Sequence, residues 1–573
     1  MIEKRWVPVT QLTPEQHTTA RNLAAELKVS PFLATLLVQR GVQDFDEARA
    51  FFRPELSFLH DPFLMKDMDK AVERLTTAMA AGEKILVYGD YDVDGTTSVT
   101  MFYGFLKTIY EHLDYYIPDR YTEGYGISTQ GIDWAKEHGF SLIVALDCGI
   151  KSIDKVTYAN SLGVDFIICD HHRPGDELPP AAAVLDPKRI DCVYPYKELT
   201  GCGVGFKLLH AFCVQNGLDL QVLYPYLDLL VVSIASDIVP ITGENRVLAF
   251  YGLQRLNTTP RVGLKALIKI AGIHNVLDIT NVVFGLGPRI NAAGRIKHAK
   301  EAVRLLLCEE EVEADDFALE INKHNMDRRK FDTSITDEAL AMIQEDAWLV
   351  GAKSTVLFKE DWHKGVIGIV ASRCIEHFHR PTIILTKSNG KAAGSARSVP
   401  GFDVYEAIEE CSELLEQFGG HTFAAGMTLP VENVDAFRLR FDEIVSSRIL
   451  PEQLTPMISV DMEIELEAIS GKFYNVLKQM GPFGPGNMTP VFVSRQVSIA
   501  RKPTIMKEKH IKFEVYQGQS PAFTVIAFGM AHIYPDLMNG KPFDICYNLD
   551  ENTFRDKTTL QFMLKDIKFG NGN

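Results

Sequence analysis

Residues 89–95 read Gly-Asp-Tyr-Asp-Val-Asp-Gly and directly follow a β-rich run at residues 84–89. The stretch places the carboxylates of Asp90, Asp92 and Asp94 at alternate positions, where they repel one another unless a cation lies between them. The same pattern opens the calcium loop of an EF-hand, but that loop needs a glutamate at its twelfth position. Here that position is Met101, and a strand rather than a helix comes first. The stretch therefore favours a cation site at the end of a strand over an EF-hand.

The region around this stretch alternates between short β-rich runs and helical stretches. The β-rich runs are residues 84–89, 142–147, 165–170 and 183–186. Such alternation predicts a parallel sheet covered by helices, which is an α/β fold. In an open sheet of this kind, the carboxyl ends of the strands line the ligand crevice. We therefore expect the residues that end these runs to lie close together.

Acids and histidines end the following apolar runs as well. Asp147 ends one run, Asp170-His171-His172 ends another, and Asp237 lies near the end of the longest apolar run. Any one of these side chains, taken alone, is most often a turn or capping residue. Several of them at the ends of apolar runs within one domain indicate a shared site.

The predicted ligands are mostly carboxylates with one or two imidazoles. Hard oxygen donors with some nitrogen suit Mn²⁺ or Mg²⁺ better than a structural zinc ion. This set exceeds what one ion needs, and two ions about 3.5–4 Å apart can share a bridging carboxylate. Such a pair activates water and stabilises charge on phosphate oxygens. The sequence therefore predicts hydrolysis of a phosphoester or a phosphoanhydride.

Composition and charge place the chain among ordinary globular proteins. The 573 residues are 46% hydrophobic and 23% charged, with a net charge of −16. The nine cysteines include no C-x-x-C pair, which argues against a disulfide framework or a Cys-rich zinc module. No secretory signal is visible and the longest apolar run is too short to cross a bilayer, so we expect a soluble cytoplasmic protein.

The charge is unevenly distributed along the sequence. The acidic balance argues against general binding of polyanions. Residues 495–512, however, carry six basic side chains against a single acid, Glu508. This basic strip falls in a C-terminal region of short alternating strands, which predicts a small antiparallel barrel or sandwich. Aromatic residues are mixed with the basic ones there, and any that are exposed can stack on nucleic acid bases.

Longer motifs extend from the acidic stretch toward the C-terminal region. They are GDYDVDG at 89–95, IPDRYTEGYG at 117–126, LDCGI at 146–150, CDHH at 169–172, SIASDIVP at 233–240, GPRINAAGRI at 287–296, WHKGVIGIVASR at 362–373, GSARS at 394–398, FGGHTFAAGM at 418–427 and GPFGPGN at 481–487. This ordered series resembles the DHH/DHHA1 phosphoesterase superfamily and, within it, the family of single-strand-specific 5′→3′ DNA exonucleases. The DHH triplet alone is a weak signal, whereas the ordered series is strong.

The resemblance implies a two-lobed α/β fold. A DHH domain with a parallel sheet and a DHHA1 domain are joined by a long helix, and an OB-like β-barrel follows. The expected boundaries are 1–75 for an N-terminal helical extension, 76–310 for the DHH catalytic domain, 311–345 for the connecting helix, 346–450 for the DHHA1 domain and 451–573 for an OB-like nucleic-acid-binding domain.

The resemblance also implies roles for the metal-site residues. Asp147 bridges two divalent cations, Mn²⁺ or Mg²⁺. Asp94, His171 and Asp237 complete one site, and Asp90 and Asp92 serve the other. His172 faces the scissile phosphate as a hydrogen-bond donor, so that the catalytic set is His172, Asp147 and Asp92. Shorter relatives carry a histidine four residues before the second motif aspartate, where this chain has Tyr88, which leaves the role of Asp90 open.

Substrate contacts are implied in three further segments. Arg120, with Ser395 and Arg397 in what we expect to be a glycine-rich turn, resembles a clamp for a 5′-phosphate. His421 lies in the GGH motif of the accessory domain, whose alternative is a tight turn before a strand. The remaining predicted contacts lie in a Gly/Pro-containing segment on the DNA path, and they are Arg289, Asn291 and Arg295.

The function implied is exonucleolytic hydrolysis of single-stranded DNA to 5′-mononucleotides, in recombination and repair. The expected partners are single-stranded DNA, single-strand-binding protein and a RecQ-type helicase, and the expected state is a monomer without membrane contact. Two alternatives remain: a phosphodiesterase for cyclic dinucleotides or very short RNAs, and a non-catalytic single-strand-binding scaffold. Residues 200–207 resemble a phosphate loop but lack its spacing, and a helix start packed on the sheet is the better interpretation.

Overall fold

In the computed structural model, which describes residues 3–555 and 557–570, the N-terminal segment is helical as expected. Its elements are β1 (Arg5–Pro8), α1 (Pro14–Leu27), α2 (Pro31–Gln39) and α3 (Phe45–Phe52). Thr13 caps α1 and Asp44 caps α3, each by accepting a backbone N–H of the first turn. The short strand β1 was not expected from the sequence.

The predicted parallel sheet is confirmed. Its region contains α4 (Met68–Ala80), β2 (Lys84–Gly89), α5 (Val93–Leu106), β3 (Leu113–Tyr116), α6 (Thr129–Glu137), β4 (Phe140–Leu146), α7 (Ile153–Ser161), β5 (Asp165–Cys169) and β6 (Ala183–Leu185). The five strands are all parallel, in the order β3-β2-β4-β5-β6. Because β2, β4 and β5 are neighbours at the centre, the residues that follow them lie at one edge of the sheet.

A helical region follows the sheet. It contains α8 (Gly201–Gln215), α9 (Leu227–Ser236), α10 (Gly243–Thr258), α11 (Val262–Ile270), α12 (Ile279–Asn281), α13 (Gly287–Ile296) and α14 (Lys300–Leu307). The apolar run that ends near Asp237 is therefore a buried helix, α9, and not a strand. Continuous apolar runs cannot be assigned to helix or strand by periodicity, which is why the sequence left this element ambiguous.

A single long helix precedes the second α/β region. This part contains α15 (Glu311–Glu345), α16 (Ala347–Gly351), β7 (Thr355–Lys359), α17 (Ile367–Phe378), β8 (Thr382–Ser388), β9 (Lys391–Arg397), α18 (Val404–Glu409), β10 (Gln417–His421), β11 (Ala424–Leu429) and α19 (Val434–Arg448). The sheet order is β10-β11-β9-β8-β7, and only β7 and β8 pair in parallel.

The C-terminal region is antiparallel for the most part. It contains β12 (Met457–Val460), β13 (Met462–Glu463), α20 (Gly471–Gln479), β14 (Val491–Met506), β15 (His510–Tyr516), β16 (Phe523–Ala527), α21 (Tyr534–Leu537), β17 (Phe543–Phe554) and β18 (Lys557–Phe569). β14 pairs with both β15 and β17, so the order β14-β15-β16-β18-β17 closes on itself.

Contacts divide the chain into two units. The larger unit comprises Trp6–Pro118, Glu123–Gly287 and Ile458–Asn573, and the smaller unit comprises Met1–Arg5, Asp119–Thr122 and Pro288–Met457. In the larger unit, α1 to α3 share one hydrophobic core with the C-terminal strands, in which Leu36 and Leu37 join Phe492 and Phe513. Within the described residues, every helix is too short or too polar to cross a lipid bilayer.

The GPFGPGN motif at 481–487 lies inside the larger unit and connects two of its parts. The backbone N–H of Ile241 donates to the carbonyl of Pro485 at 2.7 Å. The guanidinium of Arg246 donates to the carbonyl of Gly481 at 2.9 Å, and burial lowers its pKa to about 10. The motif thus holds the C-terminal region against the helices that follow the parallel sheet.

Candidate metal centre and substrate contacts

The acidic stretch turns the chain from strand β2 into helix α5. Asp92 is the N-cap of α5 and accepts the backbone N–H of Gly95 at 3.0 Å. A Cβ on Gly95 would lie 2.4 Å from the carbonyl oxygen of Asp90, so only glycine fits this turn. Because α5 begins at Val93, inside what would be a calcium loop, the EF-hand alternative is excluded.

Asp94 lies in the first turn of α5 and is held by the start of another helix. Its two carboxylate oxygens accept the backbone N–H groups of Gly201 at 2.7 Å and Cys202 at 2.9 Å. The hydroxyl of Ser233 donates to the same carboxylate at 2.7 Å. The segment that resembles a phosphate loop is therefore the N-terminus of α8, as expected, and its N–H groups fix a carboxylate rather than a phosphate.

Asp147 follows strand β4 in a left-handed backbone conformation, with φ of 61°. A non-glycine residue in this region stores strain, which is commonly found at functional sites. A Cβ on Gly201 would lie 2.4 Å from the Cβ of Asp147, so the start of α8 approaches this aspartate as closely as its chain allows. Sequence reasoning missed the supporting roles of Gly201 and Ser233.

His171 is where the predicted ligands converge. Its Nε2 lies 3.2 Å from Oδ1 of Asp147, 3.7 Å from Oδ2 of Asp94 and 3.6 Å from Oδ2 of Asp237. Two overlapping triads have ligand atoms within 4.8 Å of one another: Asp94, His171 and Asp237, and Asp147, His171 and His172. Asp237 reaches the site from the C-terminal end of α9.

The buried carboxylates of this cluster repel one another, and a cation would offset this repulsion. Burial, followed by the charges of Asp94 and Asp92, raises the pKa of Asp237 to about 8 and raises that of Asp147 well above its usual range. Burial also lowers the pKa of His171, which favours the neutral imidazole that a metal ion binds. Among the described residues, Oδ1 of Asp147 and both ring nitrogens of His171 are buried without a hydrogen-bond partner.

A divalent ion satisfies all of these conditions at once. Two ligand atoms, each about 2.1 Å from a shared octahedral ion, lie about 3 Å apart, close to the separations around His171. Carboxylate oxygens with an imidazole nitrogen form a donor set that suits Mn²⁺ or Mg²⁺. The residues present therefore fit the predicted metal.

Asp90 and Asp92 lie beside these triads but belong to neither in the part of the chain that the structure describes. Asp90 is fully buried, and both carboxylates contribute to the raised pKa of Asp147. Burial, followed by the charge of Asp94, raises the pKa of Asp92 itself. That Asp90 and Asp92 bind a second ion stays a prediction.

His172 is oriented by Asp170, a carboxylate to which the sequence assigned no role. Nδ1 of His172 lies 2.7 Å from Oδ1 of Asp170, and Oδ2 of Asp170 accepts the backbone N–H of Ile150 at 2.9 Å. Burial alone would lower the pKa of His172, but the hydrogen bond to Asp170 raises it to about 9. His172 is therefore an imidazolium at neutral pH, with Nε2 available as a donor.

Two tyrosines complete the surroundings of the site. The hydroxyl of Tyr125 lies 3.1 Å from Nε2 of His172, and the residue as a whole is 57% exposed. The ring of Tyr91 meets that of Tyr125 edge-on, at 6.1 Å between centroids. Tyr88 is fully buried and donates to the carbonyl of Gly126 at 3.0 Å.

Ser395 and Arg397 lie on strand β9, and the expectation of a turn at this position is wrong. Gly394 gives no approach to a ligand, because its added Cβ would lie 2.5 Å from Leu385 on the neighbouring strand. Arg397 donates to Oγ of Ser395 at 3.0 Å. Both side chains face Gly368 in the first turn of α17, whose Cβ would lie 2.8 Å from Arg397.

This small group has the properties of an anion site. Burial lowers the pKa of Arg397, and within the described residues no carboxylate pairs with it. The N-terminus of a helix favours negative charge, because its first N–H groups have no partners within the helix. Arginine, a serine hydroxyl and a helix N-terminus together provide donors for a phosphate group.

Arg120 and Arg295, two other predicted substrate contacts, lie in the smaller unit. Arg120 lies in a turn closed by Asp119, which accepts the backbone N–H of Tyr121 at 2.9 Å. The hydroxyl of Tyr121 donates to the carbonyl of Arg295, and Arg295 itself donates to the carbonyl of Gly365 at 2.8 Å. The loop of Arg120 is thus fastened to helix α13.

Three further residues are also predicted to contact the substrate. Arg289 and Asn291 lie on helix α13 rather than in an irregular segment, and Nε of Arg289 donates to Asn322 at 3.0 Å. His421 ends strand β10, exposed, beside the hairpin turn to β11. The GGH motif itself belongs to β10 and the turn follows it at residues 422–423, so the expectation of a tight turn at the motif is wrong. A substrate contact by His421 stays a prediction.

The C-terminal basic strip is partly neutralised. Arg495 pairs with Glu463 at 3.1 Å and Asp544 at 2.9 Å, and Arg501 pairs with Glu514 at 3.3 Å. Lys502, Lys507, Lys509 and Lys512 form no ion pair in the described part of the chain. Of the aromatic residues, Phe492, Phe513 and Phe523 are buried, whereas Tyr516 and Phe528 are exposed.

Comparison with protein families gives three matches along the chain. The N-terminal domain of the DHH family matches residues 84–234, the DHHA1 domain matches residues 351–447, and the RecJ OB domain matches residues 460–566. The acidic stretch, Asp147, the DHH triplet and α9 up to Ile234 lie in the first match. Ser395, Arg397 and His421 lie in the second.

Curated relatives align over nearly the whole chain. The single-stranded-DNA-specific exonuclease RecJ of Bacillus subtilis is 38% identical over 551 residues, which is 95% of this chain and 69% of that protein. The protein of the same name from Escherichia coli is 32% identical over 582 residues, which is 97% of this chain and 99% of that protein.

Solved structures of similar proteins contain metal ions. RecJ from Thermus thermophilus in complex with Mn²⁺ superposes with a TM-score of 0.85 at 27% identity, covering 99% of this chain and 80% of that chain. An exonuclease RecJ bound to manganese superposes with a TM-score of 0.61 at 32% identity, covering 70% of this chain and 98% of that chain.

Proposed function

The chain belongs to the RecJ family of single-stranded-DNA-specific exonucleases, and from this premise we propose that it hydrolyses single-stranded DNA from the 5′ end to 5′-mononucleotides. One observation carries the proposal. His171 holds three carboxylates within 3.7 Å, and the adjacent His172 is kept cationic by Asp170. This arrangement provides a metal centre and a phosphate donor next to each other.

The metal would be held by His171 and the carboxylates that converge on it. Asp94, Asp147, His171 and Asp237 would ligate one Mn²⁺ or Mg²⁺ ion, with Asp147 shared with a second ion that Asp90 and Asp92 serve. When bound, the ions activate water and neutralise charge on the phosphate. The chain contributes fixed positions for these ligands. Asp94 is anchored by two N–H groups of α8, and Asp147 is held in a strained backbone conformation.

His172 supplies a positive charge and a hydrogen bond to the reacting phosphate. Its Nδ1 is engaged by Asp170, so Nε2 is the atom that can donate to a phosphate oxygen. Charge accumulates on these oxygens as the phosphodiester is attacked, and a preorganised donor stabilises it without reorganisation. Tyr125 reaches the same nitrogen at 3.1 Å, and we expect substrate to displace its hydroxyl.

The 5′→3′ direction of hydrolysis comes from recognition of the terminal 5′-phosphate. A 5′-phosphate monoester carries more negative charge than an internal diester, since its second pKa is near 6. Ser395, Arg397 and the start of α17 would bind this group, with Arg120 as a second cation of the same unit. Arg289, Asn291, Arg295 and His421 would contact the strand that follows.

The family membership also suggests the cellular setting. We propose that the enzyme acts in recombination and repair as a cytoplasmic monomer, on strands that a RecQ-type helicase unwinds and single-strand-binding protein coats. The exposed lysines Lys502 on β14, Lys507 and Lys509 between β14 and β15, and Lys512 on β15 would give additional contacts to the DNA strand. Co-purification of the enzyme with each of these two proteins tests the partners separately.

The test of the activity uses end-labelled oligonucleotides with Mn²⁺. We expect a 5′-labelled single strand to release labelled mononucleotide from the first turnover, while a 3′-labelled strand shortens stepwise and blunt duplex persists. Cleavage of cyclic dinucleotides with no action on long strands would establish the phosphodiesterase alternative instead. Binding without cleavage would establish the scaffold alternative.

A further inference from the structure

Helix α15 has one buried stripe that changes character at the centre of the helix. The stripe follows the three- and four-residue spacing of a packed helix face. Its apolar members include Ala314, Ala318 and Ile321 toward the N-terminal end, and Ile335, Ala339 and Ile343 toward the C-terminal end. Between them the stripe is polar: Asn325 and Asp332 are buried, and Arg328 occupies the position between these two.

Packing explains the two apolar ends of the stripe. The C-terminal end packs against α17 in one hydrophobic core, in which Ile335 and Ala339 join Ile367 and Val370. The N-terminal end packs against α14. Neither contact requires an arginine at the centre. Helix packing alone would be served better by an apolar side chain at position 328.

The polar centre contains groups that the fold does not satisfy. Nε of Arg328 is buried and has no hydrogen-bond partner, and Arg328 forms no ion pair in the part of the chain that the structure describes. The side-chain oxygen of Asn325, which is 1% exposed, also has no partner among the described residues. A buried donor without an acceptor is destabilising and is rare in native proteins.

Further guanidinium groups surround Arg328. Burial lowers the pKa of Arg289 on α13, and the positive charges of Arg329 and Arg328 lower it further. Burial likewise lowers the pKa of Arg328; Asp332 opposes this shift, whereas the charges of Arg329 and Arg373 add to it. Arg373 on α17 is paired with Glu376 at 3.2 Å. Arg328 thus lies near three other guanidinium groups, and Asp332 is the carboxylate whose charge acts on it.

We propose that the polar centre of α15 is a binding site for the phosphates of single-stranded DNA, with Arg328 as its central contact and Arg329 and Arg373 beside it. This inference rests on the proposed function, because it takes the same substrate. Arginine matches a phosphate with two parallel hydrogen bonds, which would satisfy the buried Nε. A chain of phosphates also neutralises several cations at once, as a single small anion does not.

If Arg328 binds phosphate, replacing it by an apolar residue should weaken DNA binding without lowering thermal stability. Arg328→Met keeps the length of the side chain and places an apolar group in the stripe between α14 and α17. Because a half-buried guanidinium whose Nε has no hydrogen-bond partner is replaced, we expect an unchanged or higher melting temperature. DNA binding should weaken at the same time. A purely structural role for Arg328 predicts a lower melting temperature instead.

The experiment measures binding of a 3′-labelled (dT)20 in Mn²⁺ over a range of KCl concentrations. Phosphorothioates at the first 5′ linkages slow hydrolysis during the titration. For Arg328→Met we expect Kd to rise about ten-fold, as expected for one charge-assisted contact. The slope of log K against log salt should fall by about 0.7, the value for one phosphate contact on a single strand. Arg328→Lys should give an intermediate Kd.

A matched control lies on the same helix. Lys330 carries the same charge two residues further on, is 74% exposed and pairs with Asp327. Lys330→Gln should leave Kd within two-fold of wild type, which separates a site from a general charge effect. If Arg328→Met binds with the Kd and salt slope of wild type, or if it weakens binding only together with a lower melting temperature, the proposal is overturned.

Wild-type activity distinguishes this failure from a failure of the proposed function. Mn²⁺-dependent release of nucleotides from unmodified (dT)20 by the wild-type enzyme supports the function whatever Arg328→Met does. Absence of both binding and release by wild type would overturn the function and, with it, the inference that depends on it.

Discussion

Oδ1 of Asp170 lies 2.7 Å from Nδ1 of His172 and also accepts the backbone N–H of His172 at 3.1 Å. The aspartate thereby fixes both the ring and the backbone of His172, the residue that we propose faces substrate. Burial would raise the pKa of Asp170, but the hydrogen bond from His172 and the charges of the two histidines hold it below its usual range. Asp170 is thus a positioning residue, distinct from the carboxylates that converge on His171.

Asp170→Asn should lower kcat about 100-fold, in the range expected when one preorganised hydrogen-bond donor to the reacting phosphate is lost. The amide keeps the size of the side chain, so we expect Mn²⁺ affinity to stay within a few-fold of wild type. Steady-state kinetics and isothermal titration with Mn²⁺ measure the two effects. Asp165→Asn, at the other end of the same strand and paired with Arg74, is the control. A parallel loss of metal affinity would contradict the positioning role.

Gly201→Ala should weaken Mn²⁺ binding at least ten-fold and lower stability. The added methyl would lie 2.4 Å from Cβ and 2.7 Å from Cα of Asp147, so α8 must move away and release Asp94 as well. Gly205→Ala is a matched control on the same helix, because its Cβ would meet only the flexible ends of Leu146 and Met101, at 3.1 and 3.4 Å. Equal melting temperatures and equal Mn²⁺ affinities for both variants would refute this account.

Much of the fold could be predicted from the sequence because its signals are local. Alternating strands and helices predict the parallel sheet. The absence of Gly and Pro between 311 and 345 predicts one long helix or two abutting ones, and the structure has a single helix. The run that ends near Asp237 could not be assigned, since an apolar segment buried on all sides has no period. The shared core of α1 to α3 with the C-terminal strands also left no local signal, because residues such as Leu36 and Phe513 are far apart in sequence.

The residues of the candidate site also fall into those that the sequence predicts and those that it does not. The acidic stretch and the DHH triplet are recognisable in the sequence as clustered carboxylates and imidazoles, and the structure brings Asp94 of the stretch to His171 of the triplet. Gly201 and Ser233 were missed because their contribution is a close approach and a hydrogen bond across the fold. Ser395 and Arg397 were placed in a turn because Gly394 suggested one. The glycine instead fits beneath Leu385 of the neighbouring strand, which no local pattern reveals.

The pH dependence of stability should include a contribution from His210 on α8. Burial, followed by the charge of Lys207, lowers its pKa to about 4. The ordinary value of about 6.5 applies to the unfolded chain, which therefore binds the proton more readily. This contribution is complete above pH 6.5 and is lost as the pH falls from 6.5 toward 4. Because the ring is only partly buried, we expect it to amount to about 1–2 kcal/mol.

Urea unfolding of wild type and His210→Gln at pH 7.5 and pH 5.0 measures this contribution. The loss of unfolding free energy between the two pH values should be smaller in the variant by about 1 kcal/mol. Differences between variants cancel the titration of the carboxylates common to both. An identical pH dependence in the two proteins would show that His210 does not titrate on unfolding.

Replacing Lys507, Lys509 and Lys512 together by Gln should weaken binding of long single strands and make it less sensitive to salt. For every lysine that binds a phosphate, its replacement lowers the slope of log K against log salt by about 0.7. Point changes are preferable to deletion of the C-terminal region, since deletion would expose the core that it shares with α1 to α3. Arg495→Gln is the comparison, because Glu463 and Asp544 already neutralise Arg495. A salt slope unchanged in the triple variant would show that these lysines do not bind the DNA.

Arg397→Ala should erode the preference for a 5′-phosphorylated end over a 5′-hydroxyl end. The guanidinium faces Ser395 and the start of α17 without a carboxylate partner in the described residues, so a dianionic phosphate gains most from it. A charge-assisted hydrogen bond is worth roughly 1.5–3 kcal/mol, which corresponds to a loss of about 10- to 100-fold in kcat/KM on phosphorylated ends. On hydroxyl ends the loss should be much smaller, because less charge is bound. Matched oligonucleotides with each end measure the ratio, and Arg440→Ala, an exposed arginine paired with Glu443, serves as control. Equal losses on both substrates would make Arg397 a general contact to the strand rather than a sensor of its end.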